Sequence, residues 1–430
     1  MRSFLWINIM ATDVDVQYFS HLNGLTLGNN WGDLIRLLDI ALVNGKTLPS
    51  ITAASIDAQG DVHLTFFAAH QAMLLQVVEI EAFAPAELNQ KYRIKGVPSN
   101  TQLILKPKNG LTVSTIATMG TAKLASLGYE IIFRDVNDVK RVYRAKNPTS
   151  QHPFIRVDES LASDIGTYEA TYAKYAMVGL LEHMDHIDDY QNPDVLQLPF
   201  NPSDPAKNWK ITGTGSEVVR GWSRWYWGKH GETIGEFWGD VTASAFNGKN
   251  FTLVGDSDAF YLQLQALSSR ATNVVYGAGL FRDALKVANP SWFLMTTLRA
   301  ANASTQYSMI DTIGGTPLLH SEQQGRFITT KCNAVSYIAS HVSSIPLLPD
   351  YSAGATNIFG SNTVAALEIP FKDSDNYLRG VLNHVYYNGK NYGNILTTPI
   401  INEGSMYVAD TAHLQGSSYF SMIYYLGELE

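Results

Sequence analysis

Short runs of β-branched and aromatic residues, cut by Gly, Pro and Asn, fill most of this chain, and they constrain its fold more than any other feature. Between positions 63 and 107 the runs HLTFFAAH, LLQVVEIEAF, KYRIKGV and TQLILKP follow one another, with FAPAELNQKY as a turn-bearing connection. Runs of this length and composition, bounded by such breakers, are strands. The clearest helix lies over 30–43, where Leu34, Leu37, Leu38, Ala41 and Leu42 share one face. Asn29 or Asn30 is placed to cap it, Asp33 sits in its first turn, and Gly45 follows its end.

The strand signals continue downstream. FTLVGDSDAFYLQLQAL sets two apolar runs around a turn at 255–258, the best hairpin in the chain. A second hairpin joins 129–133 to 139–143 through a turn at 135–138. PFIRVDES is a further strand, whereas ATYAKYAMVGLLEHM is ambiguous between helix and strand. The C-terminal SYFSMIYYLGELE is apolar on both faces, as in a strand central to a sandwich or docked on a neighbouring chain.

A chain of 430 residues exceeds one compact core. The expected fold is therefore mainly β and multidomain, built of β-sandwich and small β-barrel elements with one clear N-terminal helix. Residues 1–11 form an N-terminal extension whose Phe4, Leu5, Trp6 and Ile7 call for a partner surface. Residues 12–57 with 123–300 form a main β-rich domain, and 58–122 an inserted small barrel or sandwich. Residues 301–365, rich in Ser, Thr, Ala and Gly, form a loop-rich insertion, and the strands of 366–430 complete the main domain.

Charge narrows the function. Charged residues are 16% of the chain, below the roughly 25% of typical soluble domains, while 22 Tyr, 18 Phe and 8 Trp are present. Interfaces share this bias, and so do large β proteins, which carry aromatics on strands. A net charge of −8 without a long basic run argues against a nucleic-acid partner. The apolar stretch near the N-terminus, broken by Asn8, is too short for membrane insertion. The single cysteine, Cys332, excludes an internal disulfide or a multi-thiolate zinc site.

The stretch EHMDHIDDY, at 182–190, raises the question of a metal. On a helix His183 and His186 share a face, and Asp185 and Glu182 stand beside them. On a strand the two histidines part. The following Asn192–Pro193 pair breaks regular structure, and a calcium loop would need a Gly and a Glu that are missing. The plainer reading is a polar turn in which Asp188 and Asp189 bond nearby backbone N–H groups. No nucleophile elbow, H-E-x-x-H motif or phosphate loop occurs, so neither catalysis nor a cofactor is expected.

The densest aromatic stretch is GWSRWYWGKHGETIGEFW, at 221–238. As a glycan site it would stack sugars on Trp222 and Tyr226, with Arg224 and Glu232 orienting them. As a strand it would put Trp225 and Trp227 on one face and Tyr226 on the other, one filling the core and one meeting a partner. Packing is the commoner use of such runs. Interface candidates are Trp225, Trp227 and Trp238, together with Tyr419, Tyr424 and Tyr425 of the last strand.

Several pieces, in order from about residue 12 to the end, resemble a family of tailed-bacteriophage virion proteins. They are GDLIRLLDIALVNGKTLPSIT, LASLGYEIIFRDVNDVKRVYRAKN, PFIRVDES, FTLVGDSDAFYLQLQ and YLRGVLNHVYYNGKNYG. The resemblance implies an N-terminal helical segment, an inserted β domain and a structural role in the tail or baseplate without catalysis. Its partners would be copies of itself and other tail or baseplate proteins, with the virion, assembled in the host cytoplasm, as location. The alternatives are a receptor-binding adhesin for host surface glycan through 221–238, a head or neck (collar) decoration protein, and a metal-dependent hydrolase using His183, Asp185 and His186.

Overall fold

The computed structural model describes residues 12–161, 174–213, 218–228, 248–265, 273–285, 290–299, 310–313, 327–332, 338–347, 367–387, 398–413 and 419–429. The chain is mainly β, 49% strand against 7% helix, in barrel and half-barrel sheets. The expected helix is present: Asp33–Leu38 is α-helical and Asp39–Asn44 continues it with a wider, π-helical winding. Leu34, Leu37, Leu38, Ala41 and Leu42 are all buried, and Gly45 ends the helix at φ 73°. Neither Asn29 nor Asn30 is the cap. That position belongs to Gly32 (φ 87°), which has no side chain with which to cap. Instead the side-chain carboxyl oxygens of the distant Glu159 accept the N–H of Gly32 and, at 2.9 Å, that of Ile35.

One sheet holds seven antiparallel strands. In spatial order they are Lys46–Thr47, Thr121–Leu124, Val77–Glu81, Lys91–Ser99, Gln102–Pro107, Val62–Phe66 and Ile51–Ile56. Its alternation is regular: Val62, Leu64 and Phe66 turn inward towards Leu103 and Leu105, while His63 and Thr65 stay partly exposed. The sheet reaches beyond 58–122, taking in Ile51–Ile56 and the short strand Lys46–Thr47 from the preceding segment.

A second sheet holds eight strands. Ile310–Ile313, Thr297–Arg299, Ser223–Tyr226, Tyr175–Leu181, Phe154–Asp158, Lys140–Ala145 and Tyr129–Arg134 run in that order, with Gln197–Leu198 beside Tyr175–Leu181. The ambiguous ATYAKYAMVGLLEHM segment thus contributes a strand. All seven residues of Tyr175–Leu181 are buried, because one face packs into the main core and the other onto Val142, Phe154 and Trp209.

The third sheet has twelve strands and gathers the C-terminal part of the chain. Asn273–Asp283 pairs with both Trp292–Met295 and Leu378–Tyr387, and the intervening strands Phe327–Thr329, Val342–Pro346 and Leu367–Asp373 complete a closed ring. Phe281, Phe293, Phe327 and Phe371 meet edge to face in its core. Gly380 (φ 146°) lets the ring close, since a Cβ there would lie 1.9 Å from the Arg282 carbonyl. The expected hairpin at 251–265 is present: Phe251–Gly255 pairs with Ala259–Gln265. So is the hairpin of Tyr129–Arg134 with Lys140–Ala145.

Buried cations join these units. Arg93, from the seven-stranded sheet, donates to the carbonyls of Asp13, Val16, Leu75 and Leu426, and so ties the start and end of the described chain to the small barrel.

Candidate functional site

The acidic-histidine segment folds as a polar turn. The Asp189 carboxylate accepts the Asp185 N–H at 2.8 Å, and the Asp189 N–H returns to the His186 carbonyl at 3.1 Å. Asp188 does not bond backbone donors as expected. It accepts from Lys140 at 2.9 and 3.1 Å and from Arg156 at 2.5 Å. Arg156 also lies over the rings of Trp209 and Tyr190 and donates to the Ile187 carbonyl, so this guanidinium holds the turn against the sheet. Burial works against the charge of Asp188, but Lys140 and Arg156 prevail and hold its pKa below the ordinary value. His183 pairs with Asp185 at 3.0 Å, both well exposed, and His186 is exposed. Among the described residues no group of three His, Cys, Asp or Glu side chains converges to hold a metal.

The aromatic strand is a packing element on both faces, which corrects the expectation that one face serves a partner or a sugar. Trp225 and Trp227 are fully buried, and so is Tyr226. Trp225 stacks on Tyr276 with ring centroids 5.6 Å apart and donates its indole N–H to the Met295 carbonyl at 2.9 Å. Trp227 meets Trp31 edge to face, and Tyr226 packs on Tyr175. Arg224 is 1% exposed and lies over the Tyr175 ring, so it presents nothing to a glycan. The physical reason is position: the strand is internal to its sheet, between Tyr175–Leu181 and Thr297–Arg299, and residues on both of its faces are buried. Trp238 and Glu232 lie outside the described residues.

Trp222 differs from its neighbours. It lines a cleft of about 160 Å³ together with Asp204, Lys207, Lys210, Thr212, Val219, Gly221 and Arg299. The short helical turn Pro205–Asn208 and the paired strands Ile211–Thr212 and Val219–Arg220 shape it. Asn208 fixes the turn: its amide donates to the Val178 carbonyl and its oxygen accepts the Ser223 N–H at 2.6 Å. The Lys207 ammonium lies 3.6 Å from the Trp222 ring centroid, and Lys210 pairs with Asp204 at 2.5 Å. His341 meets the edge of Trp222, with ring centroids 4.9 Å apart. Burial, with the Lys207 charge adding to it, pushes the pKa of His341 down to about 4.

The last strand divides its aromatics. Tyr424 is buried and donates to Gln263 at 2.7 Å, so it is an internal residue and not an interface one. Tyr425 is partly exposed and clusters with Tyr386 and Tyr407, at ring separations of 5.9 and 5.6 Å. Tyr419 begins the strand opposite His413, and its side chain lies outside the described residues. Sequence reasoning missed Tyr386 and Tyr407. The signal was the register, in which Val385 and Tyr424 are partners and Tyr407 faces Tyr425, and that pairing emerges only from the assembled sheet.

No family model matches the chain, and no curated protein matches it. Among solved structures it is similar to the "Phage phi92 endosialidase", at 10% identity and a TM-score of 0.16, over 89% of this chain and 52% of that one. The chain thus spans about half the length of that structure, and a TM-score of this size supports no argument about fold or chemistry.

Proposed function

We propose that the chain is a structural subunit of a bacteriophage virion, in the tail baseplate or tip, which acts by assembling with copies of itself and with other tail proteins. The observation that carries this reading is the Tyr386–Tyr407–Tyr425 cluster on the C-terminal strands. Tyrosine supplies large contact area and a polar tip at low entropic cost, and it is enriched where proteins meet. The order of the phage-like segments supports the same reading, because they fall on the helix, the 251–265 hairpin and the ring-closing Gly380 strand. The subunit works by binding and transforms no substrate.

The test is incorporation. Tyr407→Ala with Tyr425→Ala yields a folded subunit that is absent from purified particles. Normal incorporation of the double variant would remove this cluster as an assembly element.

A further inference from the structure

The seven-stranded sheet ends on Ile51–Ile56, and among the described residues no strand pairs with its outer side. The Asp57 N–H goes to the Asp61 carbonyl at 3.0 Å, so Asp57 aims its main chain at the neighbouring strand, Val62–Phe66. Successive residues of an antiparallel strand alternate in this respect. Ser55 and Ala53, opposite His63 and Thr65, therefore bond to that neighbour, while Ala54 and Ile56 aim their N–H and C=O groups out of the sheet. A register shift between Ile51 and Ala53 ends the alternation on one side, and the 57–61 turn ends it on the other. Sheet edges are commonly guarded by charge. This one is not: no charged residue occurs from Thr47 to Ile56, and Thr52, Ala53 and Ser55 are exposed. Ala54 and Ile56 are only partly buried and carry the apolar inner face out to the edge. Phe67, 82% exposed, stands at the same edge, where its N–H bonds the Ser50 carbonyl at 2.9 Å.

We propose that this edge pairs with the same edge of a second copy of the chain, antiparallel about a two-fold axis at Ser55. An uncharged edge meets itself without repulsion, and an identical strand supplies outward groups at the matching spacing. A register centred on Ser55 uses all of them: Ala54 lies opposite Ile56 of the second copy, Ile56 lies opposite its Ala54, and each pair exchanges two bonds. Centring on Ala54 or on Ile56 leaves half of them unused, because the bulge or the turn then stands where a partner group is needed. The Ser55 register also lays Ala54 beside Ile56 on the inner face. It sets Asp57 opposite Ala53, so no like charges meet. Phe67 then stands at the end where the 57–61 turn of the second copy arrives. The inference goes beyond the assembly reading, which rests on a tyrosine cluster of another sheet, and it is tested in solution without particles.

The experiment combines sedimentation of the full chain at rising concentration with oxidative cross-linking. Cross-linking uses diamide and a Cys332→Ser background, which removes the native free thiol. Opposed residues of a non-hydrogen-bonded antiparallel pair have Cα atoms about 4.5 Å apart, within disulfide reach. Ser55→Cys therefore yields a covalent dimer on a non-reducing gel. Ala53→Cys does not, since four residues of offset put it about 14 Å from its counterpart. Ala54→Pro removes two of the four bonds and weakens self-association about tenfold. The Ala54 N–H points out of the sheet, so the proline is tolerated and the melting temperature stays unchanged. Ser55→Lys sets like charges opposite one another at the axis and weakens the dimer most at low salt. A purely monomeric native chain at its highest soluble concentration would overturn the proposal. So would equal cross-linking at positions 53 and 55, or self-association indifferent to both Ala54→Pro and Ser55→Lys.

Discussion

The guanidinium of Arg93 donates to the main-chain carbonyl of Leu426 at 2.9 Å, across 333 positions of sequence. The same side chain reaches the carbonyls of Asp13, Val16 and Leu75. Burial lowers its pKa to about 10, so it remains a cation at neutral pH with backbone oxygens as its ligands. Arg93→Met leaves those carbonyls buried without a donor and costs about 3–5 kcal/mol. Arg93→Lys recovers part of that, because one ammonium cannot reproduce a forked donor. Denaturant titration checks both, and a loss below about 1 kcal/mol for Arg93→Met would show that the ends of the chain are held by other contacts.

Glu159 gives stability a pH dependence of unusual sign. Burial raises its pKa from 4.5 to about 8, although the N–H groups of Gly32 and Ile35 favour the carboxylate. The folded state therefore holds a proton that the unfolded chain has released between these two values. Stability from this group is complete below about pH 4.5 and declines as pH rises towards 8, by at most about 1.4 kcal/mol per pH unit. Melting temperatures of the native chain and Glu159→Gln should diverge over that interval, with the variant the flatter of the two. Parallel curves would mean that Glu159 is ionised in the fold and acts only as a helix cap.

Much of this architecture was legible in the sequence, for a physical reason. Period-two alternation at Val62, Leu64 and Phe66, and turn chemistry at Gly255 to Asp258, are local signals, and local signals survive assembly. The chemistry of Glu159 and Arg93 was not legible, because each side chain serves backbone more than seventy residues away. The aromatic strand misled for a related reason. Alternation shows that Trp225 and Tyr226 face opposite ways, but not that both faces are buried. Trp222 was singled out in the sequence only as a ring for stacking a sugar, whereas Lys207, which lies against it, comes from a separate turn.

Two histidines from separate strands or loops grip one hairpin tip. His384 pairs with Asp256 at 2.7 Å and His152 with Asp258 at 2.8 Å. Burial works against the charge of Asp256, but the bond from His384 and the N–H groups of Ala259 and Asp258 outweigh it, and its pKa falls below the ordinary value. A depressed carboxylate contributes stability above the unfolded pKa and loses it as pH falls through the folded one. Asp256→Asn therefore costs about 1–3 kcal/mol near neutral pH and shallows the acid limb of the unfolding curve. A variant with an unaltered acid limb would place the acid-sensitive group elsewhere.

At the 182–190 turn, structure and metal chemistry make opposite demands on the same residues. A metal site needs His183, Asp185 and His186, which are exposed. A structural turn needs Asp188, which binds Lys140 and Arg156. The structural account predicts that Asp188→Asn destabilises the chain by about 1–2 kcal/mol, because Arg156 is buried and loses one of its carboxylate partners. It predicts that His183→Ala with His186→Ala changes stability by less than about 0.5 kcal/mol, as for most surface substitutions. Elemental analysis of the purified chain should find no stoichiometric zinc or calcium. The reverse ranking of the two variants, together with bound metal lost from the histidine pair, would reassign the turn as a metal centre, since only coordination would make those exposed rings matter.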